Sequence, residues 1–267
     1  MGPIRIALIA LGVLAIAAGT FFFWPVEAPP AVAPVAQVPA PAPAAEAKAS
    51  ESPRYLVATD PAPATPTEPL PALNDSDPVV GAALTSLLGR DTTGRFFVLE
   101  DLVRHVVVTI DNLPRSHFAL PLSPINPTSG TFRVVGKDER LAIDPDNAAR
   151  YEPHVKLAES LDAKKVVALY MRFYPLFQKA YVDLGFPTGY FNDRLVEVID
   201  HLLAAPELQA PVKLTVPHVL YEFADPDLEA RSAGQKMMMR VGAANEARLK
   251  ARLRELRREV VAQSRTR

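Results

Sequence analysis

Cysteine is absent from the chain. No disulfide can staple the fold, and thiolate catalysis and thiolate metal binding are both excluded. Histidine is scarce: His105, His117, His154, His201 and His218 show no HExxH or comparable ligand spacing. There is no GxSxG elbow and no glycine-rich phosphate loop. Serine and threonine are plentiful, but none sits in a diagnostic context. The residues therefore imply no catalytic set, no cofactor and no metal. Nucleic acid is disfavoured too, because no reading motif is present.

Three blocks remain. After the basic start Met1–Arg5 comes a run without charge, Ile6 to Trp24, 19 residues long. Rising about 1.5 Å per residue, such a helix matches a hydrocarbon layer about 30 Å thick. Phe21, Phe22 and Phe23 close the run, with Trp24 suited to the interface. Arg5 on one side and Glu27 on the other predict a cytoplasmic N-terminus and an exported remainder. A cleaved signal peptide is the rival, but Val26-Glu27-Ala28 followed by Pro29 makes a poor cleavage site.

The second block is a spacer, read as residues 25–73. Pro25 to Pro71 holds 13 prolines and 13 alanines in 47 residues. That composition cannot bury enough apolar surface to offset ordering entropy, and its prolines favour an extended, semi-rigid tether.

The third block, residues 74–261, reads as one mostly α-helical domain with a minor β-hairpin or small sheet, and 262–267 as a disordered tail. Asp77 and Pro78 suit a helix start, with Gly89 ending that element. Phe96 to Leu113 reads as a second helix. Val166, Val167, Tyr170, Tyr174, Phe177, Tyr181 and Leu184 form one apolar stripe, and Leu195, Val198, Ile199 and Leu202 another. The segment around Gly185 to Gly189 turns one arm back on the other. Pro175 predicts a kink or break near Phe173 and Tyr174. Thr131–Val135, Leu141–Ile143, Val212–Val216 and Val219–Phe223 are candidate strands. A last helix is expected from about Asp227 to Val261, with Gly234 and Gly242 marking close packing in its first part.

The net charge of −1 hides an asymmetry. Ala72–Asp227 carries 15 basic and 21 acidic residues; Leu228–Arg267 carries 11 basic and 4 acidic. On the last helix Lys250, Arg254, Arg257 and Arg258 are candidates for attracting anionic lipid headgroups or another anionic envelope polymer.

Several strings also carry a resemblance. They are IDNLPR at Ile110–Arg115, ARYEPHV at Ala149–Val155, the run from Leu169 to Leu203, and the run from Tyr221 to Arg257. Through these the chain resembles the bacterial family called domain of unknown function 3014, over roughly Asp75 to Arg258. The resemblance implies envelope association. It supplies no activity, ligand or catalytic residue.

Polar residues beside the hairpin define the candidate binding surface: Asp111, Asn112, Arg115, Arg150, Tyr151, Tyr190, Asn192, Asp193 and Arg194. One expectation is that Arg115, Arg150 and Arg194 meet Asp111 and Asp193 in clusters that lock loops onto helices. The other is a binding cleft lined by part of this set. Asp193 and Glu197, one turn apart, suggest a carboxylate pair beside Tyr190 and Asn192, as a glycan or peptide hydrolase would need. The dipole of a helix start explains Asp193 equally well. The favoured expectation is a single-pass inner-membrane protein with a periplasmic domain acting in binding, scaffolding or assembly. Its expected partners are the membrane through residues 6–24 and an envelope protein or polymer.

Overall fold

Aromatic side chains at helical spacing hold the centre of the molecule together. In this computed structural model the described residues are 52–57, 69–217 and 220–266. The expected anchor and most of the spacer lie outside them. Among the described residues no helix is long and apolar enough to cross a membrane.

In chain order the elements are β1 (Tyr55–Leu56), α1 (Asp77–Leu88), α2 (Arg90–Phe96), α3 (Leu102–Asn112), β2 (Val134–Val135) and β3 (Ala142–Ile143). Then come α4 (Asn147–Ser160), α5 (Ala163–Asp183), α6 (Phe191–Leu203), β4 (Leu214–Thr215) and β5 (Glu222–Phe223). The chain closes with α7 (Pro226–Glu229), α8 (Ala233–Arg240), α9 (Ala243–Gln263) and β6 (Arg265–Thr266).

The domain is α-helical, as the periodicity requires. The hairpin of α5 and α6 lies at its centre: α3 packs against both arms, and α9 packs against both arms and α4. Tyr170, Phe173, Phe177 and Phe191 are wholly buried. Phe177 stacks on Phe191 with centroids 5.8 Å apart, and Tyr181 stacks on Phe186 at 4.6 Å. Such contacts add about 0.5–1.5 kcal/mol each beyond burial alone. α5 runs through Pro175 without a break. Pro175 has no N–H for the Met171 carbonyl, but it lies on the exposed side of α5, while the aromatic face on the other side is buried.

Three two-stranded antiparallel pairs are present: β2 with β3, β4 with β5, and β1 with β6. The first two are stitched together, Ile143 N–H donating to the Val212 carbonyl (3.0 Å) and Leu214 N–H to that of Leu141 (2.9 Å). They cover a small second core of Leu214, Phe223 and Met239.

Four sequence expectations need correction. Helix Phe96–Leu113 is divided, because Asp101 adopts a left-handed conformation at φ 47° and α3 starts only at Leu102. Asp77 is not the cap of α1. Ser76 takes that place, and the Asp77 carboxylate accepts the N–H groups of Asp101 (2.7 Å) and Leu102 (3.1 Å), capping α3 from across the fold. The last helix is divided into α7, α8 and α9, with Gly242 at φ 90° making the final turn. Neither the spacer nor the tail is structureless throughout. Tyr55–Leu56, assigned to the spacer, pairs antiparallel with Arg265–Thr266, assigned to the tail, and Val57 joins the main core. The pairing supplies main-chain partners that local composition cannot reveal.

Gly234 is the tightest junction. A Cβ there would stand 2.6 Å from Leu202 Cδ2 and 2.9 Å from the Leu113 carbonyl oxygen, while Gly234 N–H donates to that same carbonyl at 2.8 Å. We predict that Gly234→Ala lowers stability by about 1–3 kcal/mol through overpacking. Urea melts measure it; an unchanged midpoint would refute the close approach.

Candidate functional site

The nine candidate residues fall into three separate arrangements. The first is centred on Asp111 near the end of α3. Its side chain is only 3% exposed. Arg194 on α6 donates through Nε to Asp111 Oδ1 (3.1 Å) and through Nη2 to the Asp111 carbonyl (3.0 Å), and Arg115 binds the other carboxylate oxygen. Arg194 Nη1 also meets Glu197 Oε1 at 3.1 Å. Burial pushes the nearby Tyr181 phenol up to about 12, with the Asp111 anion adding to the effect. Burial also lowers His201, assisted by the Arg194 charge. Asn112 takes part through its main chain, accepting the Arg115 N–H at 2.9 Å. The Leu113 and Arg115 carbonyls accept from Gly234 and Ala233, so this corner also fixes the start of α8. The lock expected for Asp111, Arg115 and Arg194 is therefore present.

Arg150 goes elsewhere. It donates to the Ser129 carbonyl (3.2 Å), the Gly130 carbonyl (2.9 Å) and Thr128 Oγ1 (3.3 Å), with its guanidinium over the ring of buried Tyr151. The expectation that it joins Asp111 or Asp193 is therefore corrected. Arg150 lies near the start of α4, where the 128–130 loop supplies acceptors.

The third arrangement is at the start of α6. Asn192 is fully buried and cannot line an open groove, contrary to the saccharide-cleft reading. Its amide donates to the Tyr55 carbonyl and to Ser264 Oγ, both at 2.9 Å, and its oxygen accepts from Tyr170 Oη at 3.0 Å. Asp193 takes main-chain rather than guanidinium donors. Oδ1 accepts the Tyr55 N–H at 2.8 Å and Oδ2 the Arg54 N–H at 2.9 Å. Glu197 is exposed and held by Arg194. The two carboxylates of the hydrolase reading thus serve different neighbours. Tyr190 is half-buried, and its carbonyl starts α6 by accepting the Arg194 N–H.

Sequence reasoning missed Gln178, Tyr170 and Ser264 as polar partners. Gln178 ties the hairpin loop by donating to the Gly189 carbonyl (2.7 Å) and accepting from Phe191 N–H (2.9 Å). A lone amide in an aromatic stripe was the available signal. On α9 the spacing of Glu246 and Lys250 predicts a pair one turn apart, which the structure holds inside the fold. Lys250 is 3% exposed and Glu246 1%. Lys250 Nζ reaches Glu246 Oε1 and Glu207 Oε1, both at 3.0 Å, and the Ala205 carbonyl at 2.6 Å. Burial pushes Glu246 up to about 7, against the opposing pull of Lys250. This corrects the reading of the basic helix: Lys250 is inside the fold, and Arg257 is paired with Asp200. Arg254 and Arg258 remain exposed. Among the described residues no group of three or more His, Asp or Glu is placed to hold a metal ion.

Fold and contacts together define a helical domain whose conspicuous polar side chains are turned on the chain's own backbone and on one another. The chain belongs to the family described as "Protein of unknown function (DUF3014)", whose model matches residues 102–257. No curated protein and no solved structure matches it.

Proposed function

We propose that this is a single-pass inner-membrane protein, N-terminus in the cytoplasm, whose helical domain works in the periplasm as a non-enzymatic binding, scaffolding or assembly module. The uncharged run from Ile6 to Trp24 and its flanking charges support the address. The observation that carries the non-enzymatic reading is the engagement of Asp193: both oxygens already accept main-chain N–H groups. A glycan or peptide hydrolase using Asp193 and Glu197 would need both carboxylates turned toward a bond between them. Glu197 instead meets Arg194 at 3.1 Å.

Fractionation of cells making the full chain tests the address. The expected product stays in the membrane pellet through alkaline carbonate, enters detergent, and is digested in spheroplasts by added protease. A freely soluble product, with the domain protected inside spheroplasts, would overturn the proposal.

A further inference from the structure

The short strand β1 lies in a site built to read main chain. On one side it pairs with Arg265–Thr266. On the other, side chains of α6 take the place of a neighbouring strand. Asp193 accepts two successive N–H groups, and Asn192 donates to the carbonyl between them and the next residue. The contacts that Asn192 and Asp193 make with Arg54 and Tyr55 all go to backbone atoms of those two residues.

The site is organised without its occupant. Asn192 is fixed by Tyr170 and Ser264, and Ser264 Oγ is itself tied to the Val260 carbonyl at 2.7 Å. The occupant is held more lightly. Tyr55 and Leu56 are only half-buried, and among residues 54–57 Val57 alone counts as core. A preformed acceptor holding a lightly packed strand is a recognised geometry for strand addition and exchange.

We propose that the start of α6 together with residues 264–266 is an exchangeable strand-binding site, and that its resident ligand is the chain's own Arg54–Val57. Recognition is of an extended peptide through its backbone, with an aromatic and an apolar side chain toward the core. The site also sets the reach of the domain, a consequence that rests on the membrane anchor proposed above. Leu70 and Leu73, beyond the strand, also pack against the main core. With Leu70 and Leu73 as the next hold, release of β1 moves the point where the tether meets the domain from Arg54 to Leu70 and so lengthens the tether.

Two measurements on the full chain in detergent test the site independently of its address. Trypsin cleaves after Arg54 only when the strand leaves its seat. Asp193→Ala is expected to speed that cut by about tenfold or more, with little change in melting temperature. In the second, Tyr55→Pro removes the N–H that Asp193 Oδ1 accepts and empties the site. That variant is expected to bind a fluorescent peptide of residues 50–60 in the micromolar range. The wild type should bind it at least about tenfold more weakly, because its own strand competes. Adding Asp193→Ala to Tyr55→Pro should abolish binding. Equal cleavage of wild type and Asp193→Ala, or equal peptide binding by all three chains, would overturn the proposal. Global unfolding on loss of the strand would overturn it too, since the strand would then be integral rather than exchangeable. A dimer whose protection of Arg54 vanishes on dilution would assign the strand to a second copy and overturn the own-chain occupant. If the protein fractionates as soluble but the peptide results hold, only the statement about reach falls.

Discussion

Replacing Asp111 by alanine is expected to lower the unfolding free energy by about 3–5 kcal/mol, the usual cost of leaving one partner of a buried ion pair behind. The group left behind is Arg194, whose side chain is 18% exposed and whose Nε loses its acceptor, with only the exposed Glu197 still paired to its Nη1. Arg115 loses its partner as well, but at 44% exposure it can turn to water. Arg115→Ala should therefore cost well under 1 kcal/mol. The asymmetry separates a structural lock from a ligand cleft. If Asp111→Ala melts like the wild type, the lock is wrong. Adding Arg194→Met to Asp111→Ala should recover part of the loss, since no unpaired charge is then left inside.

The second large effect is expected at Lys250. Lys250→Met leaves Glu246 buried without its ammonium and should cost about 3–5 kcal/mol at pH 8. The loss should shrink at pH 5.5. Glu246 already holds its proton up to about 7 in the folded protein, and losing the cation raises it further. At pH 5.5 wild type and variant both fold with Glu246 protonated, so the cost of that proton uptake, about 1.4 kcal/mol from a carboxyl near 4.5, largely cancels between them. The wild type carries the same sign. A carboxyl raised in the folded state contributes stability fully present below about 4.5 and lost as the pH rises through about 7. Denaturant melts of both proteins at the two pH values measure this. A loss independent of pH would show that Glu246 does not titrate in this range. Glu246→Gln combined with Lys250→Met should be tolerated better than Lys250→Met alone at pH 8.

Much of the helical core was legible because burial and period coincide. Val166, Val167, Tyr170, Tyr174, Phe177 and Tyr181 are all buried, as are Leu195, Val198, Ile199 and Leu202. Leu184 escapes because it lies just past the end of α5. Within the expected last helix, Met238, Val241, Asn245, Leu249, Leu253, Leu256 and Val260 recur at helical spacing and are buried although Gly242 divides them. Successive pieces facing one core preserve a pattern that one helix would also give. What periodicity cannot show is pairing at distance. Asp111 with Arg115 is one helical turn apart and could be guessed; Asp111 with Arg194 spans 83 residues, and Asp193 with Tyr55 spans 138. Nothing in a proline- and alanine-rich stretch announces that Arg54–Val57 leaves it to join the core. The pairing of Glu246 with Lys250 follows from their spacing, but a cation among arginines reads as surface, and the Glu207 carboxylate and Ala205 carbonyl that receive Lys250 lie far off in sequence.

The pairing of β1 with β6 also governs how the molecule carries mechanical load. Tension arriving through residue 52 would enter at the seam with Arg265–Thr266, which leads into α9, and at Asn192 and Asp193 at the start of α6. A few main-chain contacts would therefore part first, acting as a fuse that spares the aromatic centre when the tether is pulled.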